Sequence, residues 1–149
     1  MPPKPQPVAL RIELLDIAPL IWRRVLVSNQ WTLTSLHNYL QWVMGWMDTH
    51  AHEFHVGAGV VAPDWWIHEV GLDSDTDNYR DERRVPVAAV MAELGLGGEV
   101  EYRYDMGDGW RHRIVIKSTP ARPMTSAARM ATRCSRKSSP TVTMNNMKT

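Results

Sequence analysis

The chain is expected to fold as an α+β domain. An antiparallel sheet of about 4–6 strands packs with two helices in the order β-β-α-β-(β)-α-β-β, and a disordered C-terminal tail follows. Three observations predict this. Residues 99–117 alternate strictly between apolar and polar side chains on either side of a Gly107-Asp108-Gly109 tip. Leu36, Leu40, Val43 and Met47 recur at three- and four-residue spacing. After Pro123 no apolar period survives. Alternation is the signature of a strand with one face buried, and three-four spacing that of a helix.

From the N-terminus, Met1-Pro2-Pro3-Lys4-Pro5-Gln6-Pro7 is proline-rich and lacks the apolar segment of a signal peptide. Val8, Leu10, Ile12 and Leu14 alternate with Ala9, Arg11 and Glu13, which predicts a strand. Ile21–Val27 predicts a second, antiparallel to the first. Thr32 or Thr34 can cap the amphipathic helix through its hydroxyl, and Gly45 suits its end. His37, Asn38 and Gln41 fall on the face opposite the apolar stripe. A third strand is expected over His50–Val56 and a short one at Val60-Val61. Residues 64–84 are rich in acid and poor in periodicity, which suggests a long surface loop. Pro86 suits the first turn of a second helix ending near Leu94. The closing hairpin follows, its glycines supplying the turn.

Composition sets the outer limits. With 149 residues and 44% apolar content, the chain can bury a real core. No apolar run reaches the roughly 20 residues of a membrane helix, so no membrane partner is expected. One cysteine, Cys134, excludes an internal disulfide framework and a thiolate zinc finger, and a cytoplasmic location is the default. All sixteen acidic residues lie in residues 1–123 with twelve basic ones, while residues 124–149 hold five basic residues and no acid. The body (residues 1–123) is therefore acidic and a poor match for nucleic acid; the tail, rich in Ser and Thr, offers only weak phosphate contact.

Several groups are candidate sites. His50 and His52 on one strand would project about 7 Å apart from one face, near enough to share a divalent transition metal. His55 lies beside them, His112 could join, and Asp105, Asp108 or Glu53 could supply oxygen. Such a set would suit a metal-dependent hydrolase. The competing interpretation makes His52 and His112 core histidines bonded to carbonyls or to Tyr102 and Tyr104. Asp108 is better explained by its turn position. Arg23 and Arg24, next to Trp22, face opposite sides of a strand and so form no fork; solvation or ion pairing accounts for them. Trp65 and Trp66 would mark a partner surface if exposed. Trp22, Trp42 and Trp110 are expected in the core. No Walker loop, dinucleotide fingerprint or nucleophile elbow is present, and no catalytic residue is assigned.

Four segments together carry a resemblance. They are Pro19-Leu20-Ile21-Trp22-Arg23-Arg24-Val25, Leu36-His37 with Met44-Gly45-Trp46, His52-Glu53-Phe54, and Tyr104-Asp105-Met106-Gly107-Asp108-Gly109-Trp110-Arg111-His112. In that order they resemble the plasmid pRiA4b ORF-3 family over about residues 8–120, with Met106 where phenylalanine is usual. The resemblance implies an α+β fold and an uncharacterised bacterial protein associated with plasmids or mobile elements. The acidic body, the aromatic-rich surfaces and the lack of an assembled catalytic set make a non-enzymatic binding or accessory module the first expectation, with another protein as the candidate partner and no cofactor. A metal-dependent hydrolase is the alternative. A DNA-binding or resolvase-like protein is the second alternative, because some relatives carry a resolvase label; no serine framed by arginines and no helix-turn-helix supports it here. Relatives continue past the position of Pro123 with a Cys/Pro/acidic/Gly-rich segment and a closing helix. The basic tail 124–149 is what a shifted reading frame would leave in its place, and translating the other frames beyond codon 123 tests this.

Overall fold

The computed structural model describes residues 4–118, which fold as an α+β domain. The strands are β1 (Pro7–Leu14), β2 (Ile21–Ser28), β3 (His52–Val56), β4 (Gly59–Ala62), β5 (Tyr79–Asp81), β6 (Glu99–Tyr104) and β7 (Trp110–Ser118). The helices are α1 (Leu33–Met44), α2 (Asp64–Gly71) and α3 (Val87–Leu94), with a 3-10 turn at Glu82–Arg84. One sheet runs in the order β2-β1-β7-β6-β3-β4-β5. Every neighbouring pair is antiparallel except β4 with β5. The tail expected over 124–149 lies outside the described residues.

The register explains the core. Leu10 pairs with Val25 and Ile116, Ile12 with Ile114, Val100 with Ile114, and Phe54 with Tyr102 and Val61. These side chains form one apolar face, which Leu33, Leu36, Leu40 and Met44 of α1 and Val87 and Val90 of α3 cover. A small pocket of about 20 Å³ lies between Leu36, Phe54, Val90 and Val100, lined only by apolar groups.

The opposite face carries Arg11, Glu13, Glu101, Arg103, Arg111 and Arg113 as a lattice of ion pairs. Arg113 reaches Glu13 at 3.1 Å, and Glu101 binds both Arg103 at 2.6 Å and Arg111 at 3.1 Å. Exposed pairs of this kind add about 0–1 kcal/mol each and serve mainly to keep that face wet.

The expected hairpin is present, with Tyr104 opposite Trp110. Its turn uses positive φ at Asp105 and Gly109 rather than at both tip glycines. Asp105 Oδ1 accepts from the backbone N–H groups of Gly107 and Asp108 at 3.1 and 3.2 Å. The aspartate that organises the turn is therefore Asp105, not Asp108.

Other expectations need correction. Among the described residues the sheet has seven strands and the fold three α-helices, because residues 64–84 are not simply a surface loop. They hold α2, β5 and the 3-10 turn, and β4-α2-β5 is a parallel crossover, a connection usually made through a helix. The third strand begins at His52, not His50. Thr32 is the cap of α1, its hydroxyl accepting from Ser35 N at 3.3 Å. Gly45 ends the helix in the left-handed region, at φ 79°, so Met47 falls beyond it and out of the stripe. Met44 takes that place, while His37 and Gln41, expected on the outer side, are buried. Neither Trp42 nor Trp22 is in the core: Trp42 is 70% exposed, and Trp22 lies opposite Glu13 on the outer face with the Arg11 guanidinium over its ring.

Candidate functional site

A buried polar network lies inside the domain, where α1, β3, β6 and the 3-10 turn meet. His37 and His52 are both buried, and their rings stack with centroids 3.5 Å apart and planes 6° apart. Alternation on β3 sends His52 inward, and its Nε2 lies 2.6 Å from Oε1 of buried Glu82. With Glu82 accepting that proton, His52 Nδ1 remains as a bare ring nitrogen; it is buried and has no hydrogen-bond partner.

The bonds around Tyr102 fix the tautomer of His37. Gln41 Nε2 donates to the Tyr102 hydroxyl at 2.9 Å, and that hydroxyl lies 2.7 Å from His37 Nδ1. The hydroxyl proton therefore goes to Nδ1, and His37 holds its own proton on Nε2, donating to Asp48 Oδ1 at 2.8 Å. Gln41 Oε1 closes the loop by accepting from Asp48 N at 2.6 Å. Burial, and then the adjacent His52, push the His37 pKa down. Burial raises the Tyr102 hydroxyl far above its ordinary range. The network thus favours neutral groups.

His112 forms a second polar station on the same face. Trp46 Nε1 donates to its Nε2 at 3.1 Å, and Nδ1–H donates to the Tyr102 carbonyl at 3.0 Å. Both ring nitrogens are satisfied only in the neutral Nδ1–H form. His112 is fully buried, and burial pulls its pKa down to about 4.

Glu53 anchors a third station on the outer face beneath α2. Its carboxylate accepts from His55 Nε2 at 2.9 Å, Trp66 Nε1 at 2.8 Å and the Tyr79 hydroxyl at 3.3 Å. Burial works to raise its pKa, but these donors outweigh it and hold Glu53 below the usual carboxylate range. β3 therefore ties the 63–85 excursion down on both faces, through His52–Glu82 inside and Glu53–Trp66 outside.

The histidines and aspartates considered for a metal are spread through these stations. His50, half exposed before β3, lies 3.5 Å from Asp105 Oδ2. His52 is in the stack with His37. His112 is beyond Tyr102, whose ring centroid lies 6.1 Å from that of His52 and 5.1 Å from that of His112. Asp108 is at the exposed hairpin tip. Among the described residues, no three His, Cys, Asp or Glu side chains converge as a metal-binding group. Of the motif residues, Tyr104, Trp46 and Trp110 pack together at one end of the sheet, with Trp46–Trp110 centroids 5.2 Å apart. Glu82 is not singled out by the sequence; His37 and Gln41 read as outward-facing residues of α1, and Tyr102 only as a partner for His52 or His112, so the network that joins them is not foreseen. The only signal was the placing of two polar residues one turn apart on α1.

The surface has a different character. Trp31, Tyr39 and Trp42 form an aromatic ladder along α1, with centroids 5.4 and 6.0 Å apart. Met47, just past the helix, is 81% exposed. On α2, Trp65 is 58% exposed, while Trp66 is half-buried by its bond to Glu53. Arg23 faces inward and Arg24 outward, as strand alternation requires. No helix among the described residues is long and apolar enough to cross a membrane.

Comparisons with known proteins give a family, a relative and a likeness of fold. A family model described as plasmid pRiA4b ORF-3-like protein matches residues 6–141. The uncharacterised protein y4hQ of Sinorhizobium fredii is 35% identical over 115 residues, which is 75% of this chain. The chain spans only about half of that relative, 54%. The crystal structure of MM3350, a protein of unknown function from Methanosarcina mazei Go1, superposes with a TM-score of 0.64. That match covers 80% of this chain and 64% of the other at 24% identity, a likeness of fold.

Proposed function

The chain belongs to the plasmid pRiA4b ORF-3-like family, and from that premise we propose that it is a binding module that docks a partner protein rather than a catalyst. The reading rests chiefly on the exposure of Trp42 on α1, stacked on Tyr39, which Trp31 meets in turn. Exposed aromatic side chains of this kind are the material of interface centres. The groups best suited to proton transfer, His37, His52, Glu82 and His112, are buried and for the most part hydrogen-bonded to one another or to the backbone. In this reading they hold α1 in position so that its outer side can be presented. The plasmid origin in the family's description supports an accessory role in a mobile element.

Site-specific photocrosslinking tests the reading. A benzoyl-phenylalanine in place of Trp42, in cells that express the chain, is expected to give one discrete adduct. The same probe at Arg113, within the ion-pair lattice, is expected to give none. Equal labelling at both positions, or none at Trp42, would contradict the proposal. A stoichiometric transition metal in purified protein, lost in His52→Ala, would replace it with a metal-dependent hydrolase.

A further inference from the structure

Among the described residues β2 has one strand neighbour, β1, so its other edge is unpaired over eight residues. An open edge of that length is a template for another strand unless charge protects it. β2 carries such charge in an unusual form. Arg23 points to the inner face and is only 5% exposed; Arg24 points to the outer face and is exposed. On β1, β6 and β7, Arg11, Arg103, Arg111 and Arg113 each have a carboxylate partner. Among the described residues neither Arg23 nor Arg24 has one. Arg23 makes a single bond, from Nη1 to the Trp22 carbonyl at 2.9 Å, leaving most of its donor fork unused. A buried guanidinium with no counter-charge is costly, and burial depresses its pKa.

We propose that the free edge of β2 receives an extended peptide of a partner protein, in which two consecutive acidic residues supply the carboxylates that Arg23 and Arg24 lack. The chemistry follows from strand geometry. Adjacent residues of an added strand point to opposite faces, as Arg23 and Arg24 do, so one acid reaches each arginine. Beyond them the edge offers Val25, Leu26 and Val27, which call for apolar residues in the peptide. Backbone pairing supplies affinity, and the acids supply selectivity. A second copy of this chain is a poor occupant, because pairing β2 with β2 would gather four arginines at one seam. Nucleic acid has no amide edge to pair with.

Fluorescence anisotropy with a labelled peptide containing Val-Thr-Val-Glu-Glu, against the whole chain, tests this. Replacing Glu-Glu with Gln-Gln should weaken binding about tenfold or more, the worth of charge-assisted hydrogen bonds. N-methylation of alternate peptide amides should abolish it. Arg24→Glu, at an exposed position, should weaken the acidic peptide, and a peptide with arginine at the facing position should recover binding. Trp42→Ala should leave peptide binding unchanged, which separates this edge from the α1 surface. No binding at millimolar peptide, or equal binding of the Glu-Glu and Gln-Gln peptides, would overturn the proposal.

Discussion

Tyr102→Phe is expected to lower stability by about 2–4 kcal/mol, although it removes a single oxygen atom. The size of the effect comes from what the hydroxyl leaves behind. Tyr102 accepts from Gln41 and donates to His37, and all three side chains are buried. Without the hydroxyl, Gln41 Nε2 and His37 Nδ1 both lose their partner where water cannot replace it. Each buried orphan costs about 1–3 kcal/mol. Tyr104→Phe is the control: its hydroxyl accepts only from Thr49 N, at a part-buried site, and about 1 kcal/mol is expected. Urea midpoints of the two variants check the comparison. Equal, small losses would mean that the ring of Tyr102 matters and its hydroxyl does not.

Acid is expected to destabilise the fold from about neutral pH downward. His112 has an ordinary pKa of 6.5 in the unfolded chain and about 4 in the fold. As pH falls through 6.5 the unfolded chain takes up a proton that the folded chain refuses. Stability is therefore full above that value and declines until the folded ring itself protonates near 4. A gap of this size corresponds to about 3 kcal/mol by linkage. His37, also shifted down, acts with the same sign. Glu53, held below the carboxylate range, adds a loss at lower pH, as protonation removes its acceptor role. In His112→Leu the slope of stability between pH 6.5 and 4.5 should fall by up to one proton, even though the variant is less stable throughout. An unchanged slope would remove His112 from the explanation.

How far the sequence foretold this protein depended on the length of each element. The hairpin of β6 and β7 repeats its alternation often enough to be read directly, and β1 does the same. α1 was legible from its apolar spacing, but its inward polar residues were not. His37 and Gln41 look solvent-facing until Tyr102, more than sixty residues away, is brought to them and the turn after α1 folds Asp48 back onto both. The 63–85 excursion was illegible for a related reason. α2 buries no residue fully, and β5 has only three residues, so neither leaves a periodic mark. What holds them is Glu82 on His52 and Trp66 on Glu53, contacts that exist only in the folded chain. His112 was expected either as a metal ligand or as a core histidine on a carbonyl. Its bond to the Tyr102 carbonyl is the second arrangement. Trp42 misled because a tryptophan on an amphipathic helix is usually drawn into the core.

The central proposal is that His37 and His112 are neutral structural groups with assigned protons rather than members of a reactive or metal-binding centre. Nitrogen-15 NMR of the imidazole rings tests it most directly. At pH 7 the account predicts a neutral ring protonated on Nε2 for His37 and on Nδ1 for His112, the latter titrating near pH 4. An imidazolium at either position at pH 7, or ring shifts at His52 and His112 on adding zinc, would contradict it.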